Sequence, residues 1–221
     1  MPAEYIETDF ANLPACPEIS LSPGTNLIAN GPVGGPFTPS CMQYSFSNAT
    51  TFPLEIFGFT NTAWTQLTPT TGSVTNATQL VDLCVDGPAN LLAGGRYQAT
   101  GSMKNILTAN LQTRQVVLSV GPPSVVSSPS PAHTSTNQPV SLSLGWVDGG
   151  NTDSYDVYFG TSSPPPFVSN TLLLNHNPGA LNQATQYFWR IDARNANGVT
   201  TGPTWSFTTQ IVSNIADWYL Y

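Results

Sequence analysis

The run Tyr187-Phe188-Trp189-Arg190-Ile191 decides the fold. Tyr187, Trp189 and Ile191 fall on one side of an extended chain and Phe188 and Arg190 on the other, the period of two that a half-buried strand imposes. The same pattern recurs on either side of it: Leu142, Leu144 and Trp146 share a face, as do Tyr155, Val157 and Phe159, and Trp205 and Phe207. Turn residues separate these runs, notably Asp148-Gly149-Gly150-Asn151 and Asn195-Ala196-Asn197-Gly198. Further upstream, Met42, Tyr44 and Phe46 alternate with Gln43 and Ser45, Val81, Leu83 and Val85 alternate with Asp82 and Cys84, and Val116, Leu118 and Val120 close the series. The pattern predicts an all-β chain of two tandem sandwiches, at 37–120 and 121–210, with an extended N-terminal arm at 1–36 and a short C-terminal strap at 211–221.

Composition agrees with that class. Of the 221 residues 40% are hydrophobic and 8% charged, so the chain can build cores beneath a polar, largely uncharged surface. The 20 prolines and 18 glycines suit strands and turns and argue against long helices. Lys104, Arg96, Arg114, Arg190 and Arg194 are the whole basic complement, and the net charge is −7. Five scattered cations cannot form the patch that displaces counterions from phosphate, which excludes nucleic-acid binding and polybasic contact with lipid. No apolar run approaches the roughly 18–20 residues of a membrane-spanning helix. The N-terminus, Met-Pro-Ala-Glu-Tyr-Ile-Glu, has neither the basic nor the apolar region of a secretory signal. Either a signal has been removed or the product does not take that route, and the initiator Met favours the second.

The cysteines are Cys16, Cys41 and Cys84, with no CxxC pair and no neighbouring His, so no zinc site is expected. Cys41 and Cys84 fall in the polar phase of their strands and could meet on an outer face if those strands are neighbours. For a chain without a secretory signal, free thiols are the preferred reading.

The ends of the chain have their own character. The first 36 residues carry Glu4, Glu7, Asp9 and Glu18 without a base and finish in Asn30-Gly31-Pro32-Val33-Gly34-Gly35-Pro36. Tyr5, Ile6, Phe10 and Leu13 in that arm, and Trp218, Tyr219 and Tyr221 in the strap, are apolar side chains outside any sandwich. They are the candidate partner-binding residues: each end either folds back on its own sandwich or straps onto a partner.

Two resemblances refine the picture. Ser130-Pro131-Ala132, Thr136-Asn137-Gln138-Pro139-Val140-Ser141-Leu142, Tyr155-Asp156-Val157-Tyr158-Phe159-Gly160-Thr161, Tyr187-Phe188-Trp189-Arg190-Ile191 and Gly202-Pro203-Thr204-Trp205-Ser206-Phe207-Thr208-Thr209 resemble the fibronectin type III-like modules of many bacterial and phage proteins. That resemblance covers about 122–210 and implies a seven-stranded Greek-key sandwich with Trp146 and Trp189 in its core. Tyr44-Ser45-Phe46-Ser47-Asn48, Trp64 with Thr68-Pro69-Thr70-Thr71-Gly72, Leu92-Ala93-Gly94-Gly95-Arg96-Tyr97 and Arg114-Gln115-Val116-Val117-Leu118-Ser119-Val120 resemble a BACON-type immunoglobulin-like domain. It departs from that pattern in its long loops and proline-rich lead-in. Both families are binding or spacer modules, and neither implies a catalytic residue.

Residues with chemical potential read more simply as structure. His133 and His176 are expected in exposed loops, and no GxSxG elbow frames either as part of a nucleophile triad. Asp148, Asp153 and Asp156 could form a carboxylate pair or a calcium site, but turn chemistry and solvation account for them. Trp146, Trp189 and Trp205 lie in the apolar phase, which leaves Trp64 and Trp218 free for a sugar-stacking platform. Asn48-Ala49-Thr50 and Asn76-Ala77-Thr78 have the form of glycosylation sequons and are taken as chance.

The expectation is therefore a non-enzymatic bacteriophage virion structural protein, a capsid decoration protein on the outer surface of the particle. Its partners would be the major capsid protein or another virion protein, with host surface glycans as a second target and a homo-oligomer on the particle allowed. No catalytic residue, metal or cofactor is assigned. The alternative is a secreted bacterial adhesion or carbohydrate-binding accessory module.

Overall fold

The computed structural model describes residues 20–47, 54–74, 78–106 and 109–211. The chain is all-β, and the described residues fall into two compact units: those within 1–27, 40–87 and 99–116, and those within 28–39, 88–98 and 117–221. Residues 20–31, placed in the arm by the sequence, form two strands.

One sheet of the N-terminal sequence region has the order β1 (Ser20–Ser22), β3 (Cys41–Ser47), β7 (Thr78–Val85), β5 (Thr65–Thr68). The other runs β2 (Leu27–Gly31), β9 (Leu111–Val120), β8 (Gly95–Asn105), β4 (Leu54–Thr60), β6 (Thr71–Val74). The alternation read from the sequence is the alternation seen. Tyr44 and Phe46 of β3 and Val81 and Leu83 of β7 are all buried, with Tyr44 directly opposite Val81. Glycines let the two sheets close on each other: a Cβ at Gly101 of β8 would lie 2.8 Å from the Leu83 side chain of β7, and one at Gly58 of β4 would lie 2.5 Å from Leu67 of β5. The Tyr44 hydroxyl donates to the Thr25 carbonyl (3.0 Å), and the Arg114 guanidinium, 5.6 Å from the Tyr44 ring centre, donates to the carbonyls of Leu21 (2.6 Å) and Pro23 (3.0 Å). One arginine thus ties β1 and the residue after it to β9.

Cys41 and Cys84 are bonded to each other, and the free-thiol reading is corrected. They are directly opposed in the β3–β7 register, and the neighbouring pair is hydrogen-bonded, Val85 N–H to Ser40 C=O at 2.7 Å. This puts the cysteines at a non-hydrogen-bonded position, where opposed Cα atoms come closest; theirs are 4.0 Å apart. Strand phase gave the face correctly but could not give the partner.

The second unit contains a three-stranded sheet, β10 (Ser127–Ser130), β12 (Leu144–Val147), β15 (Asn175–His176), and a larger one ordered β11 (Ser135–Gln138), β18 (Trp205–Thr209), β16 (Gln186–Asn195), β13 (Ser154–Gly160), β14 (Phe167–Thr171), with β17 (Gly198–Thr200) also on β16. Only β11 and β18 among these pairs run parallel. This is an immunoglobulin-like, fibronectin type III-like sandwich, as the sequence predicted. Its core holds Trp146, Tyr155, Val157, Tyr187, Trp189, Ile191, Trp205 and Phe207. The Tyr187 ring lies parallel to that of Phe159 at 5.1 Å and stacks on Phe207 at 5.7 Å, while Trp189 leans on Trp205 at 4.6 Å.

The turn asparagines also carry weight in this unit. Asn151, at φ 61°, accepts from the Ser119 hydroxyl (2.7 Å) and donates to the carbonyls of Val120 (3.0 Å) and Gly121 (2.9 Å). Asn195 donates to the Asn151 carbonyl (2.8 Å), and Asn197 donates to the Ser119 and Gly121 carbonyls, both at 3.0 Å. These side chains take up the carbonyls of residues 119–121 at the end of β9.

Two outcomes check this description. Alkylation in denaturant without reductant should leave Cys41 and Cys84 unmodified and recover them as one joined peptide pair; on the chain-entropy model for a separation of 43 residues, replacing both by Ser should cost about 2–4 kcal/mol in denaturant unfolding. Asn151→Ala should cost about 3 kcal/mol, and Asn151→Gly about 1 kcal/mol less, because glycine tolerates the positive φ but restores none of the hydrogen bonds.

Candidate functional site

The feature most in need of a partner is in the second unit, where β14 and β15 are both edge strands. Among the described residues β14 pairs with β13 alone and β15 with β12 alone. The segment joining them, Thr171-Leu172-Leu173-Leu174-Asn175, leaves one sheet and enters the other. Its leucines cannot all face a core, because three consecutive apolar residues break the period of two, and Leu172 and Leu173 are 76% and 63% exposed. The Trp146 N–H reaches the Leu174 carbonyl (3.3 Å), which brings the leucine run beside Val147, itself exposed. At the far end of β14, Phe167 and Val168 are exposed, and the Phe167 ring meets Tyr158 edge-on at 5.6 Å. The Arg190 guanidinium covers the other side of Tyr158, 4.1 Å from its centre, and is held there by Asp192 (2.8 and 3.0 Å).

Edge strands are normally guarded by lysine, proline or other charge. No Asp, Glu, Lys or Arg falls between Asp156 and Arg190, so this edge has no charged guard of its own. Exposed leucine and phenylalanine beside unpaired strand edges make a surface that gains from being covered.

The residues singled out from sequence are distributed differently. Tyr5, Ile6, Phe10, Leu13, Trp218, Tyr219 and Tyr221 lie outside the described residues. Trp64 is only 8% exposed and cannot serve as a sugar platform, which corrects that expectation. Trp146, Trp189 and Trp205 are in the core. His176 is not in an exposed loop: it lies half-buried on β15, its Nδ1 is 3.4 Å from the Ser169 hydroxyl, and burial lowers its pKa. His133 is exposed, and its Nδ1 accepts the Ser206 N–H at 3.1 Å. The three aspartates each serve a separate structural purpose. Asp156 takes Arg194 (3.0 Å) and Asn170 (2.8 Å), Asp153 pairs with Arg96, and Asp148 accepts from the Thr152 hydroxyl (2.7 Å). Among the described residues no group of three His, Cys, Asp or Glu is placed to hold a metal ion.

Asp148 and Tyr155 form a coupled pair inside the second unit. Burial raises the Asp148 pKa, but hydrogen bonds from Thr152, the Gly150 N–H and Tyr155, with the field of Arg96, outweigh it and hold the carboxyl below its ordinary value. Burial, then the hydrogen bond to Asp148 and its negative charge, push the Tyr155 hydroxyl up to about 12.

No family model matches the chain, and no curated protein matches it. Among solved structures the periplasmic chaperone SfaE is 12% identical over 87% of this chain and all of that one, with a TM-score of 0.37. The YadV chaperone is 14% identical over 83% of this chain and 97% of that one, TM-score 0.33. The fibronectin type-III domain of human fibronectin type III domain containing protein 3 is 25% identical over 43% of this chain and 93% of that one, TM-score 0.33. The immunoglobulin-like assignment rests on the strand order and pairing given above.

Reading by strand phase missed the Phe167–Leu174 edge because it looks for alternation, and this segment has none. Two signals were nonetheless present: the triple leucine, and the long interval without charge around it.

Tyr155 gives a pH prediction with a definite sign. Its folded pKa lies above the unfolded value of 10.0, so the stabilisation it confers is complete below pH 10 and disappears as pH rises from 10 towards 12. Absorbance at the tyrosinate band should show the Tyr155 hydroxyl titrating near the top of that window, beside a Tyr44 hydroxyl that burial also raises, and Tyr155→Phe should remove its step and its share of the alkaline destabilisation.

Proposed function

We propose that the chain is a non-enzymatic structural protein of a bacteriophage virion, a capsid decoration protein that docks through the uncharged apolar edge from Phe167 to Leu174. The observation that carries this reading is that edge: five exposed large apolar side chains on a segment bounded by two open strands, with no charge between Asp156 and Arg190. Covering a fully exposed Leu is worth roughly 1.5–3 kcal/mol, and an open strand edge offers backbone groups at fixed spacing to the partner that covers it. On a particle lattice many such contacts act together, so each need only be modest. The partner is the major capsid protein or another virion protein, and the chain resides on the outer surface of the particle. The resemblances to fibronectin type III-like and BACON-type modules support the same role, since both are binding or spacer modules.

A second reading, a secreted bacterial adhesion or carbohydrate-binding accessory module, is favoured by one observation. The Cys41–Cys84 bond needs an oxidising compartment to persist, which a secreted protein meets throughout its life and a virion protein meets after release.

Co-purification separates the two. Mass spectrometry of gradient-purified particles should find the wild-type chain, and a Leu172→Asp/Leu173→Asp variant should lose at least about nine-tenths of its occupancy while melting within a few degrees of wild type, since surface changes rarely move stability beyond about 0.5 kcal/mol. Absence of the wild-type chain from particles, with recovery from bacterial culture medium, overturns the virion reading in favour of the secreted one. Full occupancy of the variant overturns the role of the edge.

A further inference from the structure

The first unit carries an apolar face built around the one lysine of the chain, Lys104. On β4, Phe57 and Phe59 point outward, with ring centres 6.0 Å apart. Residues two apart on a strand share a face, so the sheet itself holds the rings side by side. The register sets Lys104 of β8 directly opposite Phe57 and on that same face, since its neighbours Met103 and Asn105 are the buried ones. On the far side of β8 runs β9 in the antiparallel sense. The Asn105 N–H donates to the Asn110 carbonyl (2.9 Å), and the Thr100 hydroxyl donates to the side-chain carbonyl of Gln115 (3.3 Å). Four residues along each strand from that second contact stand Lys104 and Leu111, which makes them neighbours. Ile106, whose N–H donates to the Glu55 carbonyl (2.9 Å), closes the face at the end of β8. Phe57, Phe59, Ile106 and Leu111 are between 42% and 57% exposed, an apolar surface that gains from a cover.

Charge and reach together decide what covers it. Arg96, Arg190 and Arg194 each pair with an aspartate, and Arg114 is held by the Leu21 and Pro23 carbonyls. Lys104 is exposed and, among the described residues, has neither a carboxylate nor a carbonyl partner. A complementary cover is therefore apolar and acidic. Residues 1–19 have that character: Tyr5, Ile6, Phe10 and Leu13 are interspersed with Glu4, Glu7 and Asp9, Glu18 follows, and no base occurs before Arg96. The segment after Ile211 has one acid, Asp217. The N-terminal arm also starts from the right place. It leads into β1, where the Leu21 carbonyl is bonded by Arg114 of β9, three residues after Leu111. Three residues of strand span about 10 Å, and the two strand spacings from β9 across β8 to β4 about another 10 Å. The seven residues from Leu13 to Ser20 can extend to about 23 Å, enough to bring Leu13 and what precedes it onto the face. Tethering sets the effective concentration of the arm in the millimolar range, so weak contacts suffice.

We propose that residues 5–13 of the same chain lie across the outer face of β4, β8 and β9, with Tyr5, Ile6, Phe10 and Leu13 against Phe57, Phe59 and Leu111 and the carboxylates of Glu7 and Asp9 beside Lys104. The arm then shields the aromatic face of its own sandwich, and that face is presented only when the arm is displaced. The proposal concerns the first unit alone, goes beyond the docking role and does not rest on it.

Paramagnetic broadening in the full-length, disulfide-bonded, ¹⁵N-labelled chain tests it. With a nitroxide on Thr8→Cys in a Cys16→Ser background, the amides of Phe57, Lys104 and Leu111 should broaden, while those of Gln43 and Asp82 on the other sheet stay sharp. Phe57→Ser/Phe59→Ser should lower the ratio of covering to free arm at least about tenfold, with the dispersion of the remaining amides retained because both rings are exposed. Lys104→Glu should lower it about three- to fivefold, the scale of an exposed ion pair lost. An equimolar mixture of nitroxide-bearing chain at natural isotope abundance with ¹⁵N-labelled Cys16→Ser chain should show no broadening. Sharp amides throughout the single-chain sample, broadening undiminished by either variant, or broadening in the mixture, where the arm would be covering a second copy, overturns the proposal.

Discussion

A β-sandwich has to end somewhere, and at its ends a row of backbone N–H and C=O groups is left without a partner. In this chain the constraint is acute, because the usual guard, lysine, occurs once in 221 residues. The arginines are committed elsewhere. Arg114 holds the carbonyls of Leu21 and Pro23, Arg190 and Arg194 hold Asp192 and Asp156, and Arg96 pairs with Asp153. The edges must therefore be managed with neutral residues. At β10 this is done with Ser-Ser-Pro-Ser, whose proline cannot donate to an added strand, and at β5 and β11 with Thr, Ser, Gln and Asn, whose side chains keep the edge wet. The edge from Phe167 to Leu174 carries Ser169, Asn170 and Thr171 in the same manner, but sets exposed Phe167 and Val168 before them and the leucine run after them, and the proposed docking rests on those flanks.

The cores were legible because alternation is a physical consequence of burying one face. Tyr44, Phe46, Val81 and Leu83 in one region, and Tyr155, Val157, Tyr187, Trp189 and Ile191 in the other, were assigned inward by phase alone and are inward in the structure. The same reasoning put Cys41 and Cys84 outward correctly but had no access to which strand lies beside which. Free thiols were therefore the preferred reading, which the β3–β7 register overturns by setting the two opposite each other. Residues 20–31 show the converse failure. Ser20-Leu21-Ser22 and Leu27-Ile28-Ala29 are too short, and too close to proline and glycine, to announce themselves as strands, yet pairing with β3 and β9 makes them so.

Position-specific features escaped for a related reason. Trp64 stands alone among threonines with no phase to read, so it was left free for a sugar-stacking platform; the structure buries it. The asparagines of the two turns were recognised as turn residues. Their larger task, satisfying the carbonyls of residues 119–121, depends on groups 31 and 78 residues away in sequence and could not be read locally. Phe57 and Phe59 lay in a run that looked like an apolar strand, and only the pairing of β4 between β6 and β8 shows which of its faces is outside.

Two attractions of different kinds meet at the edge from Phe167 to Leu174. Leucine and phenylalanine gain by exclusion of water over a broad area, a non-directional attraction that rewards any complementary apolar face and grows with the area covered. The backbone groups of an outer strand are directional, and they reward only a partner strand laid at the spacing of the sheet. Area supplies strength and the strand edge supplies register, so a partner that met only one of the two would be held weakly or in no fixed place. The scarcity of charge serves both, because no long cation stands between the apolar side chains and a partner or across the line along which an added strand would lie.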